Sequence, residues 1–124
     1  RGFAEKLVTE GYRVHGVRLK GHGTSPWDLR DRSWEDWHES VQDGYELIAS
    51  LNPQVAMIGF STGGGLALRH AAGHPPGLQG VAVVAVPLKF QNKNMKSRVL
   101  TCRDSVFYYR AIDTSRTGLI LTKC

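Results

Sequence analysis

The sequence of 124 residues has few cysteines, no long apolar run and no histidine after His74. Two cysteines, Cys102 and Cys124, are too few for a disulfide framework or a cysteine-based metal site, so we expect a reducing, cytoplasmic compartment and no metal. The longest strongly apolar stretch, Val81 to Leu88, is far shorter than the roughly 20 residues that cross a bilayer. These absences exclude a disulfide-rich secreted domain and predict no stable membrane insertion.

The net charge of +5 is confined to the end of the chain. Residues 1–91 contain nine basic and nine acidic side chains, whereas residues 92–124 contain seven basic and two acidic ones. The basic charges of this tail are scattered among residues without regular aromatic spacing, which favours a solvated segment over a nucleic-acid-binding surface. The abrupt change near Gln91 is also consistent with a shifted reading frame. We predict a folded core in residues 1–90 and a basic tail without a recognisable element in residues 91–124.

Residues 1–90 show alternating helix and strand patterns. Apolar residues at spacings of three and four after Ser33, which has Asp36 as its acidic capping partner, predict an amphipathic helix that ends before Pro53. Val55–Phe60 and Val81–Val86 are apolar without alternation, which is typical of strands buried on both faces of a parallel sheet. The remaining predicted elements are a helix through Phe3, Leu7 and Val8 closed by Gly11, a strand over Arg13–Leu19, and a helix over Ser61–Ala72. The predicted fold is α/β, with part of a doubly wound parallel sheet.

The segment Gly59-Phe60-Ser61-Thr62-Gly63-Gly64 follows a predicted buried strand and opens a predicted helix. The pattern G-x-S-x-G in this context indicates a nucleophile elbow, a sharp turn that lifts the serine side chain clear of the sheet. We predict Ser61 as a nucleophile and the Thr62 amide, at the start of the helix, as an oxyanion-hole donor. Gly59 and Gly63 are expected to be required, because a Cβ at either position would collide with neighbouring backbone.

A dinucleotide-binding loop is the main rival interpretation, since Gly59, Gly63 and Gly65 also fit the pattern G-x-x-x-G-x-G. That class of site needs an acidic residue near the end of the next strand to hold a ribose hydroxyl. No Asp or Glu occurs between Glu46 and Asp104. The sequence therefore disfavours a dinucleotide, and we expect no cofactor.

Val14–Ser25 and the elbow together resemble the monoacylglycerol lipase and microbial carboxylesterase branch of the α/β-hydrolases, which includes serine aminopeptidase-type domains. The resemblance covers about residues 1–90. It implies a serine hydrolase that cleaves small-molecule carboxylic esters through an acyl-enzyme, with Ser61 as the nucleophile and the Thr62 amide as one half of the oxyanion hole. The residues expected to support this elbow are Gly59, Phe60, Gly63 and Gly64.

The catalytic acid and histidine that the resemblance implies are not recognisable in this chain. In the family they follow the serine in the order Ser, Asp, His, whereas all five histidines here lie at or before position 74. Asp104 and Asp113 follow Ser61, but no recognisable strand precedes them that would place either one in the site. The family's other oxyanion amide comes from a loop before the first helix, and this chain starts inside that helix. We therefore predict a fragment with little or no turnover of its own, because a serine without its base is a weak nucleophile.

The resemblance also implies that a strand is missing from the sheet. In the related fold an upstream strand lies between the strand at Arg13–Leu19 and the strand at Val55–Phe60. Without it these two strands would lie roughly 10 Å apart, with unpaired amides on both sides of the gap. We predict either a gap at this position or a collapse that pairs the two strands directly.

Two alternatives to an ester hydrolase remain, whereas the histidine motifs have structural interpretations. His70 and His74 have the spacing of a zinc-binding pair, but Ala71 stands where that motif has a glutamate, so helix-surface histidines are favoured. His22 belongs to a turn that, in the resembling family, is structural and does not supply the base. A non-catalytic fragment could associate with a partner through exposed sheet edges, and the tail could bind nucleic acid.

Overall fold

A computed structural model describes residues 2–86 and 117–122 as helices packed on a four-stranded parallel sheet. In chain order the elements are α1 (Gly2–Thr9), β1 (Arg13–Val17), α2 (Pro26–Arg30), α3 (Trp34–Leu51), β2 (Gln54–Phe60), α4 (Thr62–Ala71), β3 (Leu78–Val84) and β4 (Thr117–Thr122). The alternation of helices with parallel strands confirms the α/β class predicted from the sequence.

Helix α3 begins and packs as its sequence predicts. The Ser33 amide donates a hydrogen bond to the Asp36 carboxylate at 3.0 Å, which satisfies an amide at the start of the helix. Val41, Tyr45 and Ile48 recur along one face of the helix and are almost completely buried. The helix therefore covers the sheet with one apolar stripe, while most of its acidic side chains are exposed.

Strand β2 forms the centre of the core. Val55, Ala56 and Met57 are consecutive and all buried, so both faces of the strand are covered, as its unbroken apolar sequence predicts. Side chains from the helices and the other strands complete the buried cluster, namely Val17, Leu19, Val41, Tyr45, Ile48, Leu66, Ala67, Ala71 and Val81. Removing this apolar surface from water stabilises the fold by about 25 cal/mol per Å².

The strand order is β1-β4-β2-β3, and all neighbouring strands pair in parallel. β1 and β2 are second neighbours, as predicted, but the position between them is occupied by β4. Leu119 of β4 lies opposite Val14 on one side and opposite Ala56 on the other. The prediction of a gap or a direct pairing was wrong, because an apolar segment of the tail supplies the backbone partners that β1 and β2 would otherwise lack.

Strand β4 also corrects the interpretation of the tail. The sequence predicts no recognisable element after residue 90, yet Thr117–Thr122 forms an inner strand of the sheet. Gly118–Leu121 is a short apolar patch without a clear period, and the strands that pair with it lie far earlier in the chain. Residues 87–116 and 123–124, including Asp104 and Asp113, lie outside the described residues, and the domain boundary at residue 90 stays a prediction.

Two apolar surfaces are less covered than the sequence predicts. Strand β3 ends at Val84, which is 54% exposed, and only Val81 of this strand is buried. β3 was expected to be buried on both faces, but within the described residues it pairs with β2 alone and lies at the edge of the sheet. Helix α1 ends before Gly11, with φ +90, as predicted, although Phe3 and Val8 on its apolar face are mostly exposed.

Helix α2 was not predicted, because its sequence also has the features of a turn. The Ser25 amide donates to the Asp28 carboxylate at 3.3 Å, and the Asp28 amide donates to the Ser25 hydroxyl at 3.4 Å. This capping box, with Pro26 at the first helical position, starts a helix of 5 residues. Serine, proline and aspartate favour turns for the same local reasons, so the sequence does not separate the two outcomes.

The substitution Tyr45→Phe is expected to lower the free energy of unfolding by about 1 kcal/mol. The Tyr45 hydroxyl donates to the Pro76 carbonyl at 2.7 Å and joins α3 to the turn before β3. Tyr12→Phe is the matched control, since the Tyr12 hydroxyl has no hydrogen-bond partner among the described residues, and its effect should stay within about 0.5 kcal/mol. Urea denaturation measures both, and equal effects would contradict this role of Tyr45.

Candidate active site

Ser61 lies between the end of β2 and the start of α4 and has a left-handed backbone conformation. Its φ of 52° and ψ of −123° are rare for a residue with a side chain and cost about 1–3 kcal/mol. The Ser61 amide donates to the Val84 carbonyl at 2.9 Å, and the Ser61 carbonyl accepts from the amides of Gly64 at 3.0 Å and Gly65 at 3.3 Å. The strand–turn–helix geometry on which the sequence prediction rests is therefore present. Hydrogen bonds to the end of β3 and to the first turn of α4 stabilise it.

Glycine backbone allows β2 and α4 to approach each other at this turn. A Cβ at Gly59 would lie 2.5 Å from the Gly64 Cα and 2.5 Å from the Gly63 carbonyl oxygen. A Cβ at Gly64 would lie 2.5 Å from the Val86 Cγ2. The collision predicted at Gly59 is thus found with backbone atoms, which cannot rotate away, whereas the collision predicted at Gly63 stays a prediction.

Thr62 is the first residue of α4 and directly follows Ser61. The first amides of a helix have no acceptor within the helix and lie at the positive end of its dipole. The Thr62 amide is therefore a suitable donor to an oxyanion that forms beside Ser61. Both residues are partly exposed, and Phe60, which is 48% exposed, adds an apolar surface next to the turn.

The Ser61 side chain has no hydrogen bond to any of the histidines described in residues 2–86 and 117–122. His22 instead packs edge-on against Trp37, with ring centroids 5.5 Å apart. The structure brings the predicted elbow residues together at the end of β2 and the start of α4, and the absence of a triad base stays a prediction.

A cluster of aromatic rings between α3 and α4 contains two histidines that the sequence did not predict as neighbours. The ring centroids of His38 and His70 are 5.8 Å apart, and that of Tyr45 lies 4.6 Å from His70. The Nε2 atoms of both histidines are buried, and neither has a hydrogen-bond partner among the described residues. Burial lowers the pKa of both imidazoles; the charge of Arg69 lowers the pKa of His38 further, and His38 does the same for His70. The prediction of a surface position for His70 was wrong, because its ring packs against side chains of α3.

Within the described residues, neither a cluster of metal-ligating side chains nor a membrane-spanning helix is found. His74 is exposed and lies beyond the end of α4, with a φ of 50°, so it does not share a helical face with His70. No group of three or more histidine, cysteine, aspartate or glutamate side chains is arranged to hold a metal ion in this part of the chain. Its helices are all too short or too polar to cross a bilayer.

Comparison with known proteins supports the resemblance. Residues 1–118 match the family described as "Serine aminopeptidase, S33". This match continues past residue 90, where the sequence predicts the hydrolase core to end.

Three similar proteins have hydrolase names. The chain is 39% identical over 75 residues to a thermostable monoacylglycerol lipase from Bacillus sp. (strain H-257), covering 60% of this chain and 30% of the lipase. It is 30% identical over 96 residues to a carboxylesterase from Bacillus subtilis (strain 168), covering 77% of this chain and 38% of the esterase. An AB hydrolase superfamily protein, YisY, from the same B. subtilis strain is 38% identical over 72 residues, covering 56% of this chain and 25% of that protein. The chain thus spans well under half the length of these relatives.

Alanine substitutions at the elbow glycines are expected to rank by the atoms that each new Cβ meets. Gly59→Ala should destabilise most, by about 3 kcal/mol or more, and Gly64→Ala by about 1–3 kcal/mol. Gly65→Ala is the matched control on the same helix: a Cβ there meets nothing within 4 Å, so better helix propensity should stabilise by about 0.5–1 kcal/mol. Chemical denaturation gives the ranking, and a Gly59→Ala protein as stable as the wild type would refute the close approach.

Stability is expected to fall as the pH drops below the ordinary histidine pKa of about 6.5. The pKa values of His38 and His70 are lowered in the folded protein, so the unfolded chain binds more protons in this range. The stability that depends on neutral imidazoles is therefore fully present above the histidine pKa of the unfolded chain. It is lost as the pH falls toward the lower pKa values that these histidines have in the folded protein. Urea denaturation at a series of pH values measures this slope.

Two variants distinguish the effect of the half-buried pair His38 and His70 from that of other titrating groups. The double variant His38→Asn/His70→Gln should show a flatter dependence of unfolding free energy on pH, because it removes both imidazoles. His74→Gln, at an exposed position after α4, should leave the wild-type slope unchanged. If the double variant kept the full slope, groups other than this pair would be responsible.

Proposed function

The chain belongs to the serine aminopeptidase S33 family of α/β-hydrolases, and we propose that it carries the nucleophile of an enzyme that cleaves carboxylic esters. The observation that carries this proposal is the left-handed Ser61 at the turn from β2 into α4. The names of the lipase and the carboxylesterase support an ester as the substrate in preference to a peptide. The proposed substrate is a small acyl ester, and the proposed chemistry needs no cofactor.

In this proposal Ser61 forms an acyl-enzyme. Its Oγ attacks the ester carbonyl carbon, the bond from that carbon to the alcohol oxygen breaks, and the alcohol leaves with a proton. Water then cleaves the acyl-serine bond, which releases the carboxylic acid and restores the hydroxyl. The negative charge that develops on the carbonyl oxygen is stabilised by the Thr62 amide and the start of α4, and one such donor is typically worth about 100- to 1000-fold in rate.

We propose further that this chain alone turns over little or no ester. The hydroxyl proton of Ser61 must pass to a base during attack, and the described residues supply no histidine in contact with it. A neutral hydroxyl is a weak nucleophile, so acylation is expected only with strongly activated reagents. The elbow by itself is therefore predicted to react once with such a reagent and to turn over poorly.

The test is covalent labelling of the purified chain with an excess of a fluorophosphonate, followed by intact-mass and peptide-mapping mass spectrometry. We expect slow formation of one adduct, located on Ser61, without sustained hydrolysis of an activated ester. Ser61→Ala should reduce the adduct to background. Ser50→Ala is the matched control, because Ser50 is an exposed serine on α3 whose hydroxyl donates to the Leu47 carbonyl.

Two results would contradict the proposal. The first is labelling that persists at the wild-type level in Ser61→Ala. The second is a folded chain that fails to react at Ser61 but associates as its concentration rises, which would favour the non-catalytic, partner-binding alternative.

A further inference from the structure

Two residues that follow neighbouring strands have left-handed backbone conformations and are linked by one hydrogen bond. Ser61 follows β2 with a φ of 52°, and Ala85 follows β3 with a φ of 54°. The Ser61 amide donates at 2.9 Å to the carbonyl of Val84, in the peptide group that Val84 shares with Ala85. Because Phe60 and Val84 are paired in the parallel ladder, the two left-handed residues continue from neighbouring positions at the same edge of the sheet.

The conformation of Ala85 is not explained by its own side chain. Asparagine and aspartate are the other residues that adopt this conformation, because their side chains hydrogen-bond to nearby backbone, and a methyl group cannot do so. Ala85 is exposed, so packing of its side chain in the core does not impose the conformation either. A costly backbone conformation persists where the surrounding structure determines it, so we look for its cause in the contacts of the two adjacent residues.

The two residues beside Ala85 both contact the elbow. Val84 does so through its carbonyl, which accepts the Ser61 amide. Val86 is half-buried, and its Cγ2 lies 2.5 Å from the position that a Cβ on Gly64 would take. Gly64 in turn donates its amide to the Ser61 carbonyl at 3.0 Å. The turn at Ala85 therefore joins a contact with the Ser61 amide to a contact with the helical turn that binds the Ser61 carbonyl.

An extended conformation at residue 85 would separate these two contacts. A strand rises about 3.3 Å per residue and turns successive side chains to opposite faces, so a continued β3 would carry Val86 away from the start of α4. A reversal directly after Val84 lets one short segment reach both the amide side and the carbonyl side of Ser61. A left-handed residue supplies such a reversal within one position.

We propose that Ala85 is a positioning residue for Ser61, because its left-handed backbone keeps the Val84 carbonyl on the Ser61 amide. With its amide and its carbonyl both bound, the serine stays in the strained orientation in which its side chain stands clear of the sheet. Without the Val84 acceptor, Ser61 would relax toward an ordinary backbone conformation and react more slowly. The effect on reactivity rests on the proposed function of Ser61, whereas the effect on the hydrogen bond does not.

The first experiment measures the hydrogen bond itself by nuclear magnetic resonance on the full chain. The readouts are the scalar coupling across the bond, from the Ser61 nitrogen to the Val84 carbonyl carbon, and the exchange rate of the Ser61 amide proton. Ala85→Val should abolish the coupling and speed the exchange at least about tenfold, because a β-branched residue strongly disfavours a positive φ. Ala85→Gly is the matched control and should keep both readouts, since glycine adopts a positive φ freely.

The second experiment measures the rate at which the fluorophosphonate labels Ser61, corrected for the folded fraction. Ala85→Val should be labelled at least about tenfold more slowly than the wild type, and Ala85→Gly at the wild-type rate. His74→Val controls for general destabilisation, because His74 is also exposed and left-handed, with a φ of 50°, but lies beyond the opposite end of α4. It should lose stability and keep the wild-type labelling rate.

If Ala85→Val does not fold, Val86→Ala replaces it, because loss of the side chain that lies against Gly64 should release the same turn and abolish the same coupling. The proposal is overturned if the variant that releases the turn keeps the coupling or the wild-type labelling rate, if Ala85→Gly loses the coupling, or if His74→Val slows labelling equally. If the wild-type chain is not labelled at Ser61, the proposed function fails, and the coupling still decides whether Ala85 positions the serine.

Discussion

The candidate site depends on the direct contact between the backbones of β2 and α4. Because no side chain separates Gly59 from Gly63 and Gly64, the helix starts against the end of the strand and the chain must reverse within one residue. That residue is Ser61, and its left-handed conformation follows from this lack of space. The elbow is thus a product of backbone geometry, and it forms in a chain that shows no complete triad among its described residues.

The parallel sheet holds the elbow from both sides. On one side the Val84 carbonyl at the end of β3 accepts the Ser61 amide. On the other side β4 pairs with β2 as far as Gly59, which lies opposite Thr122. Both neighbours therefore stabilise the end of β2 that leads into Ser61, so β4 supports the candidate site as well as the sheet.

The helices connect the elbow to a half-buried pair of imidazoles. α4 starts at the elbow and carries His70 near its end, where it packs against Tyr45 and His38 of α3. The Nε2 atoms of this cluster are buried and have no hydrogen-bond partner among the residues that the structure describes, which favours neutral rings because a buried charge without a partner is costly. Packing of the helix behind Ser61 is therefore linked to the protonation of residues that are separate from the proposed chemistry.

Much of the candidate site could be predicted from sequence because its determinants are local. Each determinant acts within a few residues, so a short stretch of sequence is enough to predict the structure that it forms. The examples are the capping pair of Ser33 and Asp36, the apolar run of β2 and the glycines around Ser61. The His38–His70 contact could not be predicted, since it depends on how two helices cross. A helical face that presents a histidine toward a neighbouring helix gives no local signal of the partner.

By itself the sequence determined where the chain turns from strand into helix and which serine stands at that turn, since short-range sterics decide both. Only the tertiary structure decided which strand lies beside β1. An uncharged segment such as Thr117–Thr122 has no local property that specifies its neighbours. Its place between β1 and β2 is decided by their backbone amides and carbonyls, because groups buried in a sheet need hydrogen-bond partners that only the assembled fold can supply.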